Sequence, residues 1–134
     1  MEIVIFKDKH ITVKYFPKKR WIYADWHGLQ TVESLMDGCE KILAAVKMYS
    51  CDRVISDTKD LTDSWVEVGD WLENDWFLRL SRSGVRYLAW VANLNSPDPK
   101  MQILIHRVST WDLNHINWLV FENRELAEKW LREV

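Results

Sequence analysis

Short runs of β-branched and aromatic residues open the chain: Glu2 to Phe6, Ile11 to Tyr15 and Trp21 to Trp26, separated by the charged turns Lys7-Asp8-Lys9 and Pro17-Lys18-Lys19. They predict an antiparallel meander. In the third run Ile22, Ala24 and Trp26 alternate with Trp21, Tyr23 and Asp25, so one face is expected in the core and the other partly wet. Gly28 breaks the pattern. Thr31 is then placed to cap a helix whose apolar residues Leu35, Met36, Cys39, Ile42, Leu43 and Val46 recur at spacings of three and four.

Arg53 to Ser56 reads as a strand parallel to a neighbour, closing a β-α-β unit. A long central helix follows, after a loop from Asp57 to Ser64. Val85 to Asn93 is almost continuously apolar, the pattern of a strand covered on both faces, and is expected at the centre of the sheet. Ser96-Pro97 signals a helix start, with Met101, Leu104, Ile105 and Val108 inward. Asn114 to Phe121 reads as a last strand, and Asn123 to Val134 as a helix burying Leu126, Ala127, Trp130 and Leu131. The expected fold is a single α/β domain over residues 1–134: a mixed sheet of about six strands, antiparallel then β-α-β, with about four helices.

Composition narrows the function classes. With 134 residues, 48% of them apolar, the chain is long enough for one core without metal or disulfide support. A net charge of −2 gives no electrostatic ground for nucleic acid or an anionic membrane. Two isolated cysteines, Cys39 and Cys51, read as reduced thiols, and no apolar run reaches the length of a membrane span or a signal-peptide core, so a cytoplasmic protein is expected. The anomaly is tryptophan: nine such rings are seldom all buried in a domain of this size, so some should reach an interface or a cleft.

The central helix concentrates the candidates. Ser64 and Glu67 fit a capping box, which gives Ser64 a structural role. Trp65, Val68, Leu72, Trp76 and Leu80 share one face, with Gly69 allowing close approach, while Trp71 and Leu78 point away from it. Either the helix bends or breaks near Asn74-Asp75, or Trp71 and Leu78 meet a partner or line a cleft. The candidate binding surface is therefore Asp57, Thr58, Asp60, Thr62 and Ser64 in the loop, with Trp71 and Leu78 on the outer side of the helix.

Gly28 after a Trp-ending strand, the strand-Asp57-loop-helix order, the spacing Trp71, Trp76-Phe77, Arg79-Leu80, Gly84 and the final Ala127, Trp130-Leu131 resemble the SpoIIAA-like, STAS-type proteins of bacteria. The resemblance covers nearly the whole chain. It implies a mixed sheet with helices largely on one side and a non-enzymatic regulatory role through protein-protein interaction. In STAS relatives the loop before the second helix meets the partner and carries a phosphorylatable serine. The matching residue is Ser64, but Trp65 and Val66 stand where small residues and glycine are expected, and a phosphate there would lie among Asp57, Asp60, Asp63 and Glu67.

Other chemistry is sparse. His10, His27, His106 and His115 lack metal-ligand spacing, the four glycines form no phosphate cradle, and the Trp-rich helix is acidic rather than basic. No metal and no cofactor is expected. Three readings follow: a STAS-like module docking a protein partner or a second copy of itself as a homodimer; a carrier or sensor of a small apolar, lipid-like ligand in a Trp-lined pocket; and, least supported, an enzyme using Asp57 or Asp60 with a distant histidine.

Overall fold

The computed structural model describes residues 1–134 other than 62–64, 96–98, 111–112 and 114, and other than the side chains of residues 66, 100 and 101. Strands β1 (Ile3–Lys7), β2 (Ile11–Phe16) and β3 (Trp21–Trp26) form the antiparallel meander. Each turn is fixed locally. Asp8 Oδ1 accepts the amides of His10 and Ile11 at 2.7 and 2.9 Å, and Arg20, at φ 59°, closes the second turn in the left-handed region.

Helix α1 (Val32–Tyr49) starts at Thr31, whose hydroxyl accepts the Ser34 amide while the Ser34 hydroxyl accepts the Thr31 amide, a reciprocal cap. Strand β4 (Arg53–Asp57) then pairs parallel to β3, β5 (Tyr87–Val91) parallel to β4, and β6 (Asn117–Phe121) parallel to β5. The sheet order is β1-β2-β3-β4-β5-β6. Crossovers between parallel neighbours run right-handed, so three that step in one direction place their helices on one face. The packing agrees: side chains of α1, of the central helix and of α4 (Pro99–Val108) share one core with Ile22, Ala24, Trp26, Val54 and Leu88.

Helix α5 (Arg124–Glu133), capped by Asn123, covers the opposite face. There Ala127 and Leu131 pack on Trp21, Tyr23, Ile55, Ala89 and Val91. The expectation that one face of β3 would be partly wet is thus corrected: Trp21 and Tyr23 are buried, because α5 returns over them. Leu126, expected inward, is 43% exposed, one position off the buried stripe. β5 is covered on both faces, but β3 and β4 hold the centre, since the sheet grows by one strand after β5.

The central helix is composite: a 3₁₀ turn Trp65–Val68, a short α2 (Gly69–Trp71), a π-helical turn Leu72–Trp76 and α3 (Phe77–Arg82). Of the two alternatives left open for this helix, a bend or break near Asn74-Asp75 or an outer stripe meeting a partner or cleft, the irregularity falls at the first, as a π-turn rather than a break. It alters the phase of the helix, so that Leu72, Trp76, Phe77 and Leu80 are all buried. The N-terminal cap expected at Ser64, like that at Ser96-Pro97, lies outside the described residues.

Gly38 of α1 faces the ring of Trp26. A Cβ there would lie 2.4 Å from Trp26 Cη2, against a ring only 1% exposed. Helix propensity alone would make Gly38→Ala stabilising by about 1 kcal/mol. Overpacking should outweigh this, with a net loss of about 1–3 kcal/mol in urea unfolding. A neutral or more stable variant would show that the ring yields.

Candidate functional site

The face that carries α1, the central helix and α4 holds a cavity of about 60 Å³ beside the C-terminal halves of β4 and β5. Strands β4, β5 and β6 contribute Ser56, Leu88, Trp90 and Trp118, with Thr58 just beyond the end of β4; α1 contributes Cys39 and Ile42, and the central helix Trp65, Leu72, Trp76 and Phe77. Leu104, Val108 and Leu113 complete the wall. The carboxyl ends of parallel strands are where open α/β sheets commonly seat ligands. Four of the nine tryptophans line this one space.

The polar groups of the wall are mostly committed to each other. Trp90 Nε1 donates to Thr58 Oγ1 at 2.7 Å, and Thr58 Oγ1 donates to the Val91 carbonyl at 2.8 Å. Trp26 Nε1 donates to Ser56 Oγ at 3.1 Å, and Trp76 Nε1 to the Cys39 carbonyl of α1 at 2.9 Å. These bonds pin the rings in place. Trp65 differs: its ring stands edge-on to Trp26 at 5.0 Å, and its Nε1 is buried with no acceptor among the described residues. Such an orphaned donor costs about 1–3 kcal/mol.

The strand period separates two residues that the sequence placed together. Thr58 is buried on the cavity face, whereas Asp57, the last residue of β4, is buried on the α5 face. There Tyr23 Oη donates to Asp57 Oδ2 at 2.6 Å, and Arg124 lies over the Tyr23 ring at 3.7 Å. Burial, reinforced by the bond to Asp57, pushes the Tyr23 phenol far up. Asp25 sits beside Asp57 in the parallel register.

Of the remaining candidates, Asp60 is exposed, and Thr62 and Ser64 lie outside the described residues. Trp71 and Leu78 are half-buried. Trp71 packs against the main core and carries the Arg79 guanidinium 5.8 Å from its ring centre. Arg79 in turn forks onto Glu40 of α1 at 2.8 and 2.5 Å and onto Asp75 at 3.2 and 3.1 Å, tying the π-turn to α1. That bond holds the Glu40 carboxyl below its usual range.

Cys39 and Cys51 are free and buried, and burial raises both thiols. His27 Nε2 meets Thr12 Oγ1 at 3.1 Å, and His10 Nδ1 the Leu29 carbonyl at 2.9 Å, structural contacts at the meander's end. Among the described residues no three His, Cys, Asp or Glu side chains gather as a metal site, and no helix is long and apolar enough to cross a membrane. Comparison of the chain with family models, curated proteins and solved structures gave no match.

Asp25 generates a pH prediction. Burial, then the charge of Asp57, raises its carboxyl above the usual range; His27 opposes them, and Asp60 and Lys14 add weaker effects of opposite sign. The native state therefore binds this proton more tightly than the unfolded chain, and its contribution to stability falls as pH rises from the ordinary Asp range through the raised one. Asp25→Asn should be more stable than the parent at pH 7 in thermal melts, with the difference shrinking towards pH 3. A constant or reversed difference would show that the carboxylate is not repelled by Asp57.

Proposed function

We propose that the protein is a non-enzymatic binding module that takes a small, neutral, largely apolar group into the Trp-lined cavity, as a carrier or sensor. The observation that carries this reading is the cavity itself, beside the strand ends where ligands commonly sit, with the Trp90 and Trp76 rings of its wall held by hydrogen bonds to Thr58 and to the Cys39 carbonyl. Size limits the occupant. An apolar cavity of about 150 Å³ accepts one benzene. At about 60 Å³ this one suits a group smaller than that ring, or the tip of a larger molecule inserted through its mouth, and not a whole acyl chain.

A STAS-like regulatory module docking a protein partner or a second copy is the second reading. It is supported by the mixed sheet with most helices on one face and by Lys59 and Asp60, exposed just after β4. Light scattering reads the second copy directly, a stable dimer supporting it. The buried free thiols support a cytoplasmic setting.

The cavity is tested with 2-methyl-1-butene, which has five heavy atoms. At the best efficiency small ligands reach, its affinity will be no tighter than about micromolar. Titration should move the indole signals of Trp76 and Trp90 in a saturable way, and Leu104→Phe, which fills the cavity, should weaken binding about tenfold or more while leaving the circular dichroism unchanged. Absence of any saturable shift up to the solubility of the alkene would overturn the reading.

A further inference from the structure

The two edges of the sheet are unlike. At β1 the register with β2 shifts between Val4 and Phe6, Lys7 closes the strand, and Glu2 pairs with Lys14 at 2.9 Å. Irregularities and charges of this kind discourage the addition of a further strand. β6 has neither. It pairs with β5 in unbroken parallel register, and its five residues, Asn117-Trp118-Leu119-Val120-Phe121, include no charge and no proline.

The bonds on one side of β6 define the other. The Asn117 amide donates to the Arg86 carbonyl and the Phe121 carbonyl accepts the Ala92 amide, so residues 117, 119 and 121 turn their backbone groups to β5. Trp118 and Val120 turn theirs outward, and no strand among the described residues pairs with them. On the α5 face of this edge Leu119 is 47% exposed. Leu126, 43% exposed, stands one helical turn before Trp130, whose ring lies 5.6 Å from that of Phe121, and so lies on the side of α5 towards β6.

We propose that β6 pairs antiparallel with β6 of a second copy of this chain, about a two-fold axis through Leu119. In that register each Trp118 meets a Val120 across the junction, and the outward N–H and C=O groups of both residues are satisfied. The strand is complementary to itself. Aromatic against β-branched is a favourable cross-strand pair, the two Leu119 side chains meet where neighbouring strands bring side chains closest, and an uncharged strand opposes no like charges. This surface is separate from the loop after β4 on which the STAS-like reading relies, and it holds whether or not the cavity takes a ligand.

A short strand pair is a small interface, so light scattering is followed over rising concentration up to about 1 mM. The parent should approach twice the mass of one chain. Leu119→Lys sets like charges across the axis, and Val120→Pro removes an outward amide without touching the β5 ladder; each should weaken association about tenfold or more with circular dichroism unchanged. Asp60→Lys, in the loop after β4, should dimerise as the parent does. In the parent, exchange of the Trp118 and Val120 amides should slow as concentration rises, and this protection decides the matter alone if neither β6 variant folds. A parent that stays monomeric would overturn the proposal. A dimer that survives both β6 variants would overturn it too, and its loss in Asp60→Lys would place the contact at the loop.

Discussion

The separation between the sheet and α1 is set by one ring lying over one backbone. Trp26 stands at the end of β3, fully buried, with Gly38 against its far edge where no Cβ fits, Trp65 edge-on at its side and Ser56 on its indole nitrogen. Three elements are thus located by a single side chain: the first helix, the start of the central helix and the middle strand. A flat ring held by a hydrogen bond cannot rotate to fill space left beside it. Interiors usually collapse to crystal-like density. Here Trp26, Trp76 and Trp90 are each tied to a fixed acceptor, and the space beyond them stays open.

The π-turn is the second consequence of fitting large rings under a narrow helix. A regular α-helix from Trp65 to Arg82 has one stripe to offer the sheet, yet the segment has more bulky apolar side chains than one stripe holds. Widening the turn at Leu72–Trp76 lets adjacent Trp76 and Phe77 both go inward. Arg79 then reaches back to Glu40 and Asp75 and covers Trp71. Exposed ion pairs contribute little, but a bidentate fork anchored on two elements restrains geometry as well as charge. Such turns are frequent beside functional sites, and this one forms part of the cavity wall.

Much of this was legible in the sequence. The meander, the cap at Thr31, the apolar stripe of α1 and the parallel strand at Arg53 follow from local pattern, and the count of rings on the central helix shows that one regular stripe cannot bury them, without deciding between an irregular helix and an outer contact. The position of β5 was not legible, because a run covered on both faces is compatible with any interior place in the sheet. Nor was the burial of Tyr23, which depends on α5 returning from the far end of the chain. For the candidate site, extending β4 by one residue changes the assignment: the period of two then sends Ser56 and Thr58 to one face and Asp57 to the other. Trp65 was legible as a core residue but not as an unpaired donor, since partners of indoles are tertiary facts.

The division of β4 also explains why the cavity is neutral. The most conspicuous polar chemistry of the chain, Asp25, Asp57, Tyr23 and Arg124, gathers at the same end of the sheet as the cavity but on the other side of it. There the Asp57 carboxylate finds a phenol donor at 2.6 Å. On the cavity side the Thr58 hydroxyl is consumed by Trp90 and the Val91 carbonyl, and that same carbonyl also accepts the Thr58 amide at 2.8 Å. These bonds fix Thr58 on the cavity face of the β4–β5 junction while Asp57 is held on the other. A single strand thus keeps a charged cluster and, among the described residues, an uncharged apolar space at neighbouring positions.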